Sequence, residues 1–301
     1  MSSHISARHA SASLDPRRHA FREDLAANAL RDIVSAPRYA DPQPMQIRAS
    51  SAPLRKAPNT SLGFETELIA GEIFDVYDRI CGFAWGQARR DGYVGYCPEE
   101  ALGPLLPTAT HRVADLRAFL YPAASMKATP LGFLPYGAEI AVLEQEAGFL
   151  RTPLGHVFAK HLRPLAERPD DPVSEAERFL GVPYLWGGKS SLGLDCSGLV
   201  QTVCSACGIV APRDSDMQER ELGSRLDMPA DPATLPRGAL LFWPGHVALS
   251  QGDGQMIHAT SFSMTVISEP ITPALRRIEQ QGPGLRSVRL FPASRVPLPG
   301  L

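Results

Sequence analysis

The sequence predicts an α+β protein in which two small all-β units precede a mixed helix-and-strand unit. Three observations carry this. From about residue 45 to 165, short apolar runs such as MQIRA, EIFDVYD, GYVGYCP and EIAVLEQE alternate with Gly, Pro and Asp turn signals, a texture of small barrels or sandwiches. That segment runs through one plan twice. After a Pro- and Asp-rich linker, ERPDDP, the texture changes to a helix, a Gly-rich loop, a second helix and a strand-rich C-terminal part.

The elements divide the 301 residues into four segments. Residues 1–44 form an irregular lead with one short helix around 20–36. Residues 45–107 hold the first copy of the β plan, LRKAPNTSLGFETELIAGEIFDVYD followed by GFAWGQARRDGYVGYCPEEAL. Residues 108–166 hold the second, LYPAASMKATPLGFLPYGAEIAVLEQE followed by GFLRTPLGHVFAKHLRPL. Each copy passes from a Pro-containing opening to a G-x-E-I strand, a Gly-Phe strand and a Gly-led last strand. Residues 167–301 are the mixed unit. Its first helix, EAERFL, takes Ser174 as N-cap with Glu177 as capping-box partner, and Gly181 ends it.

Composition excludes several classes. The hydrophobic share of 44% and charged share of 21% are those of a soluble globular chain. A net charge of −2 argues against a general nucleic-acid or anionic-membrane binder. No run approaches the roughly 18 apolar residues of a membrane span. His, Arg and Asp interrupt every apolar run of the first 34 residues, and Asp15, Glu23 and Asp24 weaken a transit-peptide reading, so a cytoplasmic location is expected. Five cysteines without an export signal are expected as free thiols.

The chemistry centres on LGLDCSGLVQTVCSACG, residues 192–208. Residues 196–207 read as a helix whose Leu199, Val200, Val203 and Cys207 share one face, with Gly208 as its stop. The preceding GGKSSLGLD cannot continue a helix, so Cys196 sits at the N-terminus. There the orphan N–H groups and the dipole favour a thiolate. A buried structural cysteine fits the same position. Cys204 and Cys207 have a zinc or redox spacing, but CSAC lies inside the helix rather than on a knuckle.

A base follows in GALLFWPGHVALSQGDGQMIHATSF, where HVALSQ and QMIHATSF read as a hairpin. His246 and His258 are equidistant from Gly252. A three- or five-residue loop there makes them cross-strand neighbours on one face, whereas a two-residue loop at Asp253-Gly254 shifts the register. One histidine of such a pair takes the thiol proton and the other orients it. Two unrelated strand histidines, or half of a zinc site, are the alternatives.

The repeated β plan resembles bacterial SH3 domains, with one larger β-domain as the alternative. The order PYLWGGKSSLGLDCSGLVQ, PRDSDMQ, GHVALS and MIHATS over residues 172–270 resembles the NlpC-type cell-wall peptidases, which are papain-like cysteine enzymes. The resemblance implies a papain-like catalytic domain after two SH3-like barrels, with Cys196 as nucleophile, His246 as base and His258 as the orienting residue.

The arrangement is similar to γ-D-glutamyl-L-diamino acid endopeptidases, which cut L-Ala-γ-D-Glu–diaminopimelate stem peptides. That likeness implies that Arg213, Asp214 and Ser215 line the non-primed side. Asp214 would hold the substrate's free α-amino group, and Ser215 with Ser197 the D-Glu carboxylate. Tyr93 of the first SH3-like domain would close the pocket, with Glu72 as a weaker candidate for the amine. Asp195, beside the nucleophile, is counted with the substrate side, and Tyr184 and Trp186 would wall the cleft. No metal or cofactor is required. The expected partner is a murein stem peptide, with no nucleic acid and no membrane. An amidase or acyltransferase on another γ-glutamyl or lipid substrate, and an inert wall-peptide binder, are the competing readings.

Overall fold

The computed structural model describes residues 14–291. The first barrel rests on an antiparallel sheet in the order Val94–Pro98, Phe83–Ala88, Ile73–Ile80, Gln43–Ile47, Leu102–Gly103. The hairpin Ser51–Leu54 with Thr66–Ile69 faces it, and a bridge between Arg55 and Tyr96 closes the two together. Period-two alternation turns Ile47, Leu54, Leu68, Phe74, Val76 and Ala84 into one core. The second barrel gathers the strands of residues 111–164 around Val113, Leu134, Val157 and Leu162.

The lead departs from expectation. Residues 1–13 lie outside the described residues, and 20–36 contain no α-helix. Leu25–Ala27 pairs in parallel with Arg38–Ala40, and Asn28–Leu30 is a single 3-10 turn. Ala20, Leu25 and Ala27 bury against Trp85 of the first barrel, and the Arg22 guanidinium lies 4.6 Å from the Trp85 ring centroid. This docking, rather than local helix propensity, sets the conformation of the segment.

The mixed unit holds α1 (Pro172–Glu177), α2 (Cys196–Ala206), α3 (Ser215–Glu221) and α4 (Ile271–Gln281). Its sheet is antiparallel, in the order Ser224–Leu226, Ser287–Leu290, Ala239–Trp243, His246–Gly252, Gln255–Thr260, Thr265–Pro270. Alternate residues face opposite sides. Phe242, Val247, Leu249, Ile257 and Ala259 pack with Leu199, Val200 and Val203 of α2. Leu241, Ala248, Met256 and Val288 pack with Ile271 and Ala274 of α4. The N-cap of α1 is Asp171, not Ser174. Its Oδ1 accepts from Val173 N–H at 2.9 Å, Pro172 takes the first helical position, and the Ser174 hydroxyl donates to Asp171 Oδ2 at 2.7 Å.

Both barrels are fixed to this unit. Tyr136 of the second barrel places its ring 5.3 Å from that of Phe179 and joins the α2 core. The first barrel contributes Glu72, which is 4% exposed. It accepts from Lys189 Nζ at 2.9 and 3.2 Å and pairs with Arg90 Nε at 3.1 Å. Glu67 Oε2 accepts from the Lys189 backbone N–H at 3.0 Å. Removing one member of such a network strands the others without water. Glu72→Gln is therefore expected to destabilise the protein by about 3 kcal/mol. Chemical denaturation checks this, and an unchanged midpoint would contradict a structural role for the network.

Candidate active site

The start of α2 is built by one carboxylate. Asp195, the N-cap, accepts from Gly198 N–H at 2.7 Å through Oδ1 and from Gly187 N–H at 2.8 Å through Oδ2. Arg213 spans both oxygens, with NH1 3.0 Å from Oδ1 and NH2 2.7 Å from Oδ2. The Gly188 carbonyl crosses the first turn so closely that a Cβ on Gly198 would stand 2.1 Å from it. Glycine is therefore required there, and the helix cannot slide. Cys196, the first helical residue, is thus held in one place with its N–H among the orphan amides of the first turn.

The histidines come from the hairpin, whose loop has two residues, Asp253 and Gly254, at φ of 49° and 74°. This is the turn that shifts the register. Alone it would send the two histidines to opposite faces. A bulge between Ser250 and Gly252 adds one residue and restores the parity, giving the pairs Leu249↔Ile257 and Ser250↔Met256. The histidines become diagonal neighbours, with His246 Nε2 2.8 Å from His258 Nδ1 and ring centroids 5.0 Å apart. Both lie on the α4 side of the sheet. The Cys196 Sγ lies 3.9 Å from the carbonyl of Gly245, the residue before His246.

Two further side chains, unmarked by any sequence motif, extend the row. His258 Nε2 lies 2.8 Å from Glu269 Oε1. Arg277 of α4 donates to both Glu269 oxygens at 2.6 Å.

A second group of polar side chains gathers where α3, the first barrel and the lead meet. Asp214 stands at the N-cap position of α3 but does not cap it. Its Oδ2 accepts instead from the Tyr93 hydroxyl at 3.2 Å and from Arg17 NH1 of the lead at 2.8 Å. Arg17 also donates to Asp15 and Asp216, so three carboxylates surround one guanidinium. Burial, then the charge of Asp214, hold the Tyr93 phenol well above its ordinary range.

Comparison with known proteins adds to this geometry. The profile of the NlpC/P60 family matches residues 181–276, and that of the bacterial dipeptidyl-peptidase SH3 domain matches residues 54–102. The chain carries an NlpC/P60 domain behind a bacterial dipeptidyl-peptidase SH3 domain. A γ-D-glutamyl-L-lysine dipeptidyl-peptidase of Bacillus subtilis is 30% identical over 57% of this chain and 62% of its own length. One of Bacillus cereus is 37% identical over 34% and 32%. The chain thus spans less than two thirds of either relative. A solved NlpC/P60 family protein of Bacillus cereus shares the fold, with a TM-score of 0.69 at 23% identity over 83% of this chain and 99% of that one.

Within the NlpC/P60 domain and its SH3 partner, several expected substrate contacts are turned inward. Glu72 does not face the cleft, because Lys189 and Arg90 consume its charge in the barrel junction. Asp195 and Arg213 saturate each other, and Arg213, 1% exposed, also donates from Nε to Thr66 Oγ1 at 2.7 Å. The Ser197 hydroxyl accepts from Arg213 NH1 at 2.8 Å and gives its hydrogen to Asp195 at 3.3 Å, so it is not free for a substrate carboxylate. Ser215 stands half-buried in the first turn of α3. Trp186 is 66% exposed, whereas Tyr184 is half-buried against the core near Cys196. Cys204 is buried in the core around α2, and Cys207, at its C-cap, is also buried. No cluster of metal-ligating side chains occurs among the described residues.

Electrostatics also corrects the expected thiolate. Burial pushes the Cys196 thiol up to about 12, outweighing the helix terminus, and the Asp195 charge adds to the rise. Burial, then the neighbouring His258, bring His246 down to about 3. Both shifts favour a neutral thiol and a neutral imidazole at rest, with the nucleophile formed when the proton crosses. A raised thiol pKa means that thiolate accumulates only as pH climbs. Alkylation of Cys196 by iodoacetamide is expected to accelerate roughly tenfold per pH unit up to about pH 9. A rate already level at acidic pH would show a resting ion pair and contradict this assignment.

Proposed function

We propose that this protein is a cysteine peptidase that cleaves the bond between γ-D-Glu and a diamino acid in small murein peptides with a free N-terminal L-Ala. The observation that carries this reading is Asp214. An aspartate at an N-cap position that leaves its helix uncapped is held for something else. Burial pushes its carboxyl above the ordinary value against the pull of Arg213 and Arg17, so its negative charge is not fully compensated by them. Arg17 and Arg220 do not cancel the charge of Asp15, Asp214 and Asp216, and the ammonium of a peptide N-terminus is the matching ligand. The names of the Bacillus relatives support the same bond.

In the reaction, the Cys196 thiol proton passes to His246 and the thiolate attacks the γ-carbonyl carbon. The Cys196 N–H stabilises the oxyanion. The C–N bond breaks as His246 returns its proton to the leaving amine, giving a thioester. Water, deprotonated by His246, then displaces Cys196. Tyr93 and Asp214 close the amino side, which fits soluble fragments rather than intact wall, and a recycling role in the cytoplasm is part of this proposal.

Cys196→Ala is expected to abolish release of the diamino acid from L-Ala-γ-D-Glu-diaminopimelate, followed by chromatography. Acetylating the Ala nitrogen is expected to block turnover by the native protein. Asp214→Asn is expected to lower kcat/KM by roughly 30-fold or more, mostly through KM, because a desolvated charge pair loses one partner. Equal rates on free and acetylated peptide would refute the amine-recognition reading.

A further inference from the structure

We infer that Glu269 and Arg277 act together as positioning residues that fix which nitrogen of His246 is bare, and so make it a base. The inference rests on the reading of Cys196 and His246 as nucleophile and base. A carboxylate can only accept a hydrogen bond, so Glu269 Oε1, 2.8 Å from His258 Nε2, requires the hydrogen of His258 on Nε2. A neutral imidazole carries one ring hydrogen, which leaves His258 Nδ1 as an acceptor. That acceptor lies 2.8 Å from His246 Nε2, so the His246 hydrogen must sit on Nε2. Nδ1 of His246 is then the nitrogen with a lone pair, free to take the Cys196 proton. When it does, the His246 cation is stabilised through its Nε2–H bond to His258.

Arg277 supplies the other condition. Arg277 donates to both Glu269 oxygens at 2.6 Å, which balances the carboxylate's charge and fixes the plane in which it faces His258. Burial opposes the charge of Glu269, but the hydrogen bonds from Arg277 and His258 outweigh it and bring its carboxyl down to about 2. The carboxylate therefore remains an acceptor throughout the neutral range. The pair sits at the strand Thr265–Pro270 and on α4, away from α2, and acts on the reaction only through His258.

The test is ¹⁵N NMR of the imidazole nitrogens at neutral pH in the full chain without peptide, with His246 and His258 assigned by the signals lost on substituting each by Asn. The wild-type protein is expected to show His246 with hydrogen on Nε2 and a bare Nδ1. A His246 hydrogen on Nδ1 would overturn the inference with no variant needed. The exchange Glu269→Lys with Arg277→Glu keeps an ion pair at the same place but turns an acceptor into a donor. It is expected to move the His246 hydrogen to Nδ1 and to lower kcat by about 100-fold or more with little change in KM. An exchanged protein with wild-type kcat would show a merely structural ion pair. Should the exchange prevent folding, Glu269→Met is expected to give a mixture of His246 tautomers, and a single unchanged tautomer would count against the inference. These spectra do not depend on the substrate, so a peptide that is not cleaved would count against the proposed specificity and leave the tautomer result standing.

Discussion

The buried pair of Asp195 and Arg213 holds the site together. Breaking such a pair costs on the order of 3–5 kcal/mol, because the survivor is left charged and dry. Here each partner is also fully engaged elsewhere. Asp195 caps α2 and gathers the Gly187 loop, while Arg213 reaches Ser197 and Thr66. One ion pair thereby fixes the height of the Cys196 helix, the loop before it, the segment leading to Asp214, and the first barrel. Gln218 of α3 tightens the same region by donating to the carbonyls of Ser197 and Pro212, each at 2.9 Å.

Because Arg213 joins two domains, the first barrel is tied to the helix that carries Cys196. It brings Tyr93 to Asp214, and the lead brings Arg17. A wall made of charged groups from separate segments needs rigid support, since a misplacement of an ångström weakens a charge-assisted bond considerably. The Glu72–Lys189–Arg90 network and the docking of Tyr136 on Phe179 provide it. On the opposite side the hairpin solves a separate problem. A tight Asp-Gly turn and a bulge are both needed to keep two histidines on one face.

Much of this was legible in the sequence. The doubled β plan gave the barrels, and the glycine-rich break before Cys196 with Gly208 after it gave the limits of α2. His246 and His258 followed from symmetry about a turn, although the turn type was open and the bulge could not be seen. The rest was hidden for physical reasons. Burial decides the charge of Cys196 against the helix terminus, and burial is a property of the assembled core. Glu269 and Arg277 lie in ISEPITPALRRIEQ, which carries no motif, and only strand pairing brings them to His258. The inward turn of Ser197 and Glu72 depends on Arg213 and Lys189, partners distant in sequence for Glu72 and unmarked for Ser197. The lead looked helical because its apolar residues were read without Trp85, the surface they bury against.

The most direct test is to trap the acyl-enzyme. The protein would be mixed with L-Ala-γ-D-Glu-diaminopimelate, quenched in acid within the first turnovers, digested and mapped by mass spectrometry. An L-Ala-γ-D-glutamyl thioester on Cys196 is the predicted result. Hydrolysis with an adduct on a residue other than Cys196, or an adduct that carries the diamino acid, would contradict both the nucleophile and the bond assigned to it.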